Sequence, residues 1–234
     1  RLIPVITLLI LATACSGPRI KLFTDDTDPL REYTLEGTGT EKILLISVQG
    51  MISDLPQKGL VRSSPSLVQR IVSQLKKAEQ DDRIKAVLFK VNSPGGTIVA
   101  SDVLYHEISA FRNRTGAKIV VSMLDVAASG AYYLSLPADA IMAHPTTLTG
   151  SVGVIFLRPK LSGLMDKVGL GVDVIKFGRN KDMGSPFRDS TAEEQRIMQK
   201  AVDAFGERFI RLVRKHRTLR EQAVGEISTA RVLT

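Results

Sequence analysis

The sequence has no tryptophan, one cysteine and three histidines, and aromatic residues make up only 5% of its 234 positions. A single thiol, Cys15, excludes an internal disulfide framework and a cysteine-built metal site. No metal and no cofactor are expected. Aromatics are sparse, and the lysines and arginines are spread along the chain. Despite a formal net charge of +8, the stacking-and-phosphate pattern of a nucleic-acid binder is therefore missing, and nucleic acid is not an expected partner. Chemistry that needs an imidazole base has only His106, His144 and His216 to draw on. The apolar run Leu2–Ala12 is too short to cross a bilayer as a helix.

That run has another reading. Arg1 precedes "LIPVITLLILA", which ends in small residues, the pattern of a secretory leader. Ala12, Thr13 and Ala14 before Cys15 resemble a bacterial lipoprotein box, with Ala12 standing where leucine is usual. Cys15 is then the expected acylated first residue of the mature protein. The body is expected in the bacterial cell envelope, outside the cytoplasm and tethered to a membrane. Residues 1–15 read as leader and 16–41, with "TDDTDP" and "EGTGTE", as a polar linker. Residues 42–234 read as one main domain, large enough to bury a sizeable core. The absence of an initiating Met implies that some leader residues precede Arg1.

Within the domain, β-branched runs alternate with amphipathic segments. Strands are expected at Ile43–Val48, Ile84–Val91, "KIVVSM", "DAIMA" and "GVDVIKF". A helix capped near Ser64 or Ser66 carries Leu67, Ile71 and Leu75 on one face, with Val68 and Val72 alongside. Further helices are expected at Val99–Arg112, at Ser129–Leu136, and from Ala192 to about Arg214. The last has Met198, Ala201, Phe205, Phe209 and Leu212 facing inward. Alternating strands and helices give an α/β fold with a mainly parallel sheet, whose functional loops gather at the carboxyl ends of the strands.

Two such loops are rich in small residues. "NSPGGT" places Gly95 and Gly96 where backbone N–H groups can approach a ligand. "DVAASGAYY" puts Ser129 at the start of a short helix with the Gly130 N–H beside it. Together they can form a nucleophile with an oxyanion hole. Read singly, the glycines are also consistent with an ordinary turn and Ser129 with close helix packing, and the motif is not G-x-S-x-G. A serine hydroxyl needs a base. His106 and His216 sit on helices, where exposed or packing roles are usual. His144 ends a strand that opens on the same sheet edge as Ser129, and Lys181 lies in the loop "KFGRNKDMGSPFR".

"VNSPGG", "VVSMLDVAASGAYYLSLPAD", "TLTGSVGVI" and "KFGRNKDMGSPFRDST", in this order and spacing, resemble the signal peptide peptidase A family of bacterial membrane-associated serine proteases. The resemblance runs from Lys42 to the C-terminus. It implies the Clp protease and crotonase type of fold, a spiral of ββα units. It also implies a Ser/Lys dyad of Ser129 and Lys181, with the N–H groups of Gly96 and Gly130 as oxyanion donors. His144 looks like the segment that carries the base in Clp proteases, but the position is not the base in signal peptide peptidases. Ser151, in "TGSVGV", is a possible helper orienting the lysine amine, or a turn serine. The resemblance further implies peptide substrates left from signal peptides, a homo-oligomer whose neighbouring subunits complete each site, and a domain that continues beyond Thr234. Two other classes remain open at this level: a crotonase-fold enzyme acting on acyl-CoA, and a protease-like scaffold binding membrane partners without turnover.

Overall fold

The computed structural model describes residues 30–58 and 63–234; the expected leader, Cys15 and the first part of the linker lie outside them. Residues 30–41 are exposed and without regular structure. Among the described residues no helix is long and apolar enough to cross a membrane.

The main sheet is built from β1 (Lys42–Gln49), β4 (Ile84–Ser93), β5 (Lys118–Ala128), β6 (Ala140–Ala143), β7 (Leu148–Gly150) and β8 (Val232–Leu233), while β2 (Gln57–Lys58) and β3 (Ser63–Ser64) form a separate small hairpin. The order is β1-β4-β5-β7-β8. The first half of β5 pairs with β6 and its last three residues pair with β7. All these pairings are parallel except β7–β8. The helices are α1 (Leu67–Ala78), α2 (Ile98–Thr115), α3 (Gly130–Ser135), α4 (Ser162–Val168), α5 (Ala192–His216) and α6 (Glu221–Ile227).

Local chemistry accounts for the helix ends. Ser66 opens α1 with a reciprocal box: its Oγ accepts from the Gln69 N–H at 3.0 Å, and the Gln69 side chain accepts from the Ser66 N–H at 3.1 Å. Thr191 and Glu194 make the same box on α5. Gly116 ends α2 in the left-handed region, at φ +71°. The α1 residues Leu67, Val68, Ile71 and Leu75 join Val87, Phe89 and Val91 of β4 and Leu104, Ile108 and Phe111 of α2 in one core. A second, smaller cluster holds Tyr105, Tyr133, Leu136, Val152, Phe209 and Val213, and so joins α3 to α5.

The structure corrects two expectations. "GVDVIKF" is not a strand: the segment has no regular structure, and Ile175 and Phe177 are fully exposed. A strand needs a ladder partner for its backbone groups. Here β6 and β7 already occupy the free side of β5, and β8 takes the outer edge of β7. Along α5 only Phe209 of the five expected inward residues is buried; Ala201 and Phe205 face solvent. The period is that of a buried face, but among the described residues nothing covers the first half of the stripe.

Candidate active site

The carboxyl ends of β4 and β5 form the site. Between the paired positions Val91↔Met123 and Ser93↔Ala127 the register shifts, so one residue of β4 faces three of β5. Asn92 closes this gap. Its Oδ1 accepts from the Val126 N–H at 3.2 Å and its Nδ2 donates to Asp125 at 2.9 Å. The bulge advances β5 by two residues and delivers Ser129 opposite the glycine loop.

Ser129 has φ +52° and ψ −121°, a conformation that L residues avoid. Its N–H donates to the Gly150 carbonyl at 2.9 Å, which extends the β5–β7 ladder by one step and sets Ser151 alongside. Ser151 is itself at φ +50° and anchored by its N–H to the Arg231 carbonyl. Two adjacent strained serines held by ladder hydrogen bonds mean that the surrounding sheet over-determines this turn.

The glycine loop is pinned on its other side. Ile52 bridges it in parallel: the Ile52 N–H donates to Gly95 O and the Thr97 N–H donates to Ile52 O, each at 2.9 Å. That pattern uses the amides on either side of Gly96 and turns the Gly96 N–H away from Ile52, toward the serine turn. A Cβ on Gly130 would lie 3.2 Å from the Gly96 nitrogen, so the two N–H groups border one concavity. Gly130 is the first residue of α3, and its N–H has no intrahelical acceptor. Each glycine is sterically required. A Cβ on Gly96 would stand 1.9 Å from the Ile52 carbonyl oxygen, one on Gly130 would stand 2.2 Å from Ser101 Oγ, and one on Gly95 would stand 2.7 Å from the Gly130 nitrogen.

The support behind the serine turn was not foreseen. Ser93 Oγ, fully buried, accepts from the Gly95 N–H at 3.1 Å, and Ser101 Oγ donates to Thr97 O at 2.9 Å. Ser101 follows the cap residue Thr97 by four, one turn on, and that spacing is the signal that could have found it. Beneath α3, Tyr133 donates to Asp102, which also takes Arg208 of α5. Burial and the Asp102 carboxylate both push the Tyr133 hydroxyl up. For Asp102, burial opposes ionisation, yet the Tyr133 and Arg208 hydrogen bonds hold its carboxyl below the ordinary range.

The histidines are engaged elsewhere. His144 Nδ1 pairs with Thr146 at 2.9 Å on the surface, His106 pairs with Arg208, and His216 pairs with the Tyr105 hydroxyl at 2.8 Å. Gly96, Ser129, Gly130 and Ser151 come together as expected. Lys181 lies exposed in a turn whose closing bond runs from its N–H to Gly178 O, 3.1 Å, and no hydrogen bond joins it to Ser129. The supports of the two loops stand apart on α5. Glu194, which anchors the lysine segment, and Phe209, which packs on Tyr133 at 4.8 Å between ring centroids, are both on this helix. They are fifteen residues apart on it, about 22 Å along its axis.

The sequence profile of Peptidase family S49 matches residues 112–234. The chain belongs to this family, that of signal peptide peptidase A. The Clp protease profile matches residues 62–149, in keeping with the Clp-like α/β architecture. A protein named signal peptide peptidase SppA from Enterococcus faecium is 35% identical over 91% of this chain. Serine protease SPPA of Arabidopsis thaliana chloroplasts is 29% identical over 88% of it, and Protease 4 of Salmonella typhi is 35% identical over 69%. The S49 chain spans only part of each relative: 61%, 30% and 26% of their lengths, respectively. A solved structure of a ClpP1 mutant from Listeria monocytogenes superposes with a TM-score of 0.48, at 15% identity over 78% of this chain and 77% of that one.

Proposed function

We propose that this chain is a serine endopeptidase that cleaves membrane-derived peptides, remnant signal peptides among them, through Ser129. The observation that carries the reading is the strained Ser129 beside two inward-turned amides, Gly96 and Gly130. The Ser129 hydroxyl attacks the peptide carbonyl while Lys181, as the neutral amine, takes its proton. The two N–H groups stabilise the oxyanion, and Lys181 then passes the proton to the leaving amine. Water repeats the sequence to release the acyl group. Ser151, the residue just past the end of β7 and beside Ser129, orients the amine.

Lys181 reaches the serine from a second copy of the chain. Three features support this: the roughly 22 Å between the anchors of the two loops on α5 and, among the described residues, the full exposure of Ile175 and Phe177 and the uncovered apolar stripe at Phe205. Buried between copies, these residues account for a homo-oligomer with shared sites. The leader and an acylated Cys15 complete the proposal by holding the protease against the membrane, outside the cytoplasm.

The test is labelling with a serine-reactive fluorophosphonate and cleavage of an apolar peptide. Both are expected to vanish in Ser129→Ala, and cleavage to vanish in Lys181→Ala. Mixing the two inactive variants restores part of the activity if the site is shared. Normal cleavage by Ser129→Ala would sink the reading. Binding of coenzyme A with a slow thioester reaction would favour a crotonase-type enzyme, and silence in every assay would favour a binding scaffold.

A further inference from the structure

Among the described residues, every charged side chain but one between Lys176 and Glu194 has an opposite partner. Lys176 pairs with Asp182, Arg179 with Glu193, Arg188 with both Asp182 and Glu194, and Asp189 with Lys160. Among the described residues, Lys181 alone in this segment has no counter-ion. Its immediate neighbour, Asp182, is the carboxylate best placed by sequence to supply one, and both oxygens of that carboxylate are engaged by other cations. Arg188 Nε holds Asp182 Oδ2 at 2.7 Å, Lys176 takes Oδ1, and the Asp182 side chain is only 12% exposed. Arg188 is in turn fixed from behind. Its Nη1 donates to Glu194 Oε2 at 2.9 Å, its Nη2 also bonds Glu194, and Glu194 is buried at the first turn of α5, where it accepts the Thr191 N–H at 2.9 Å.

We propose that Arg188 is a positioning residue that sequesters Asp182 and so keeps the Lys181 amine free of a carboxylate partner. The inference rests on the reading of Lys181 as the general base. An amine beside a free carboxylate is held as the ammonium and cannot accept the serine proton; an opposite charge within about 4–6 Å shifts a titration by one to three pH units. Arg188 spends Asp182 on a guanidinium that cannot lose its charge, and the buried Glu194 holds that guanidinium in place. The other charges of the segment contribute no free carboxylate: Glu193 is paired with Arg179, and Asp189 with Lys160 from outside it. Because Lys181 and Asp182 are adjacent in one chain, Arg188 acts on the same amine whichever subunit supplies the serine.

The experiment is the pH profile of kcat/KM for peptide cleavage by the full chain. In Arg188→Ala the acid limb is expected to move up by about one pH unit, a tenfold loss at a fixed pH on that limb, with the alkaline plateau within a few-fold of wild type. Arg188→Lys restores the position of the limb, and Arg188→Ala combined with Asp182→Asn removes the shift. Lys176→Met removes the other partner of Asp182 while leaving Glu194 paired, so it gives a smaller shift in the same direction even if Arg188→Ala does not fold. A lower plateau with an unmoved limb in both Arg188→Ala and Lys176→Met overturns the proposal, as does a shift that persists in the double variant. Failure of the base reading shows separately, as undiminished turnover by Lys181→Ala.

Discussion

Gly95→Ala separates catalysis from stability at the glycine loop. Gly95 has φ +100°, and a methyl there would sit 2.7 Å from the Gly130 nitrogen and 3.0 Å from both Ala128 O and Ser129 Cβ. Ordinary contact begins near 3.4 Å, so the loop and the serine turn must part by roughly 0.7 Å or the methyl must cover the Gly130 N–H. Either outcome removes that amide from the oxyanion position. Loss of one such donor costs about a hundred- to a thousand-fold in kcat, or about 2.7–4 kcal/mol. The backbone strain adds about 1–3 kcal/mol to the folded state. Gly116→Ala is the matched control. It has φ +71° but no atom within 4 Å of the new methyl, so it should lower Tm through strain alone and leave kcat unchanged. The assays are steady-state cleavage of an apolar peptide and thermal denaturation of both variants. If Gly95→Ala keeps kcat within threefold of wild type while its stability falls like that of Gly116→Ala, the Gly130 amide is not an oxyanion donor and the site argument fails.

Ser129→Gly is expected to raise Tm above that of Ser129→Ala, because glycine relieves a φ of +52° that alanine must still adopt; equal Tm values would mean that the turn stores no strain. Phe209→Ala removes a buried ring packed on Tyr133 and should cost about 3–5 kcal/mol in denaturant unfolding, whereas Phe205→Ala, on the same helix but exposed, should cost little in the isolated subunit and weaken self-association in sedimentation. Burial, and then the cations of Lys215, Arg217 and Arg112, hold the His216 imidazole below its ordinary 6.5. Its folded value lies below its unfolded one, so its contribution to stability is present above pH 6.5 and is lost as the pH falls through the folded value. His216→Gln should flatten that part of the stability curve, and an unchanged pH dependence would remove His216 as its source.

How much of this could be read in the sequence follows from how local each cause is. The α1 cap at Ser66, the buried runs of β4 and β5, and the glycine pair all depend on residues a few positions apart, and they fall where their patterns place them. The sequence also points to Ser129 and Gly130, but their strain depends on the β5 bulge and on Gly150. The Asn92–Asp125 closure of that bulge spans 33 positions, and no periodicity carries it. The misreadings have the opposite cause. "GVDVIKF" has the composition of a strand, and the α5 stripe the period of a buried face, because composition and period report that a surface is to be covered without saying by which chain. Lys181 sits just past that uncovered segment, in a stretch anchored at Glu194, about 22 Å along α5 from the Phe209 that supports the serine turn. On the proposed shared-site reading, the same exposed residues that make the strand assignment fail within one subunit are the ones a second copy would cover. Substituting Ile175 and Phe177 with serine should abolish oligomer and peptidase activity together while leaving the monomer's Tm unchanged. If sedimentation showed the doubly substituted chain to be monomeric and still fully active, each subunit would have to close its own dyad, and the α5 argument would be wrong.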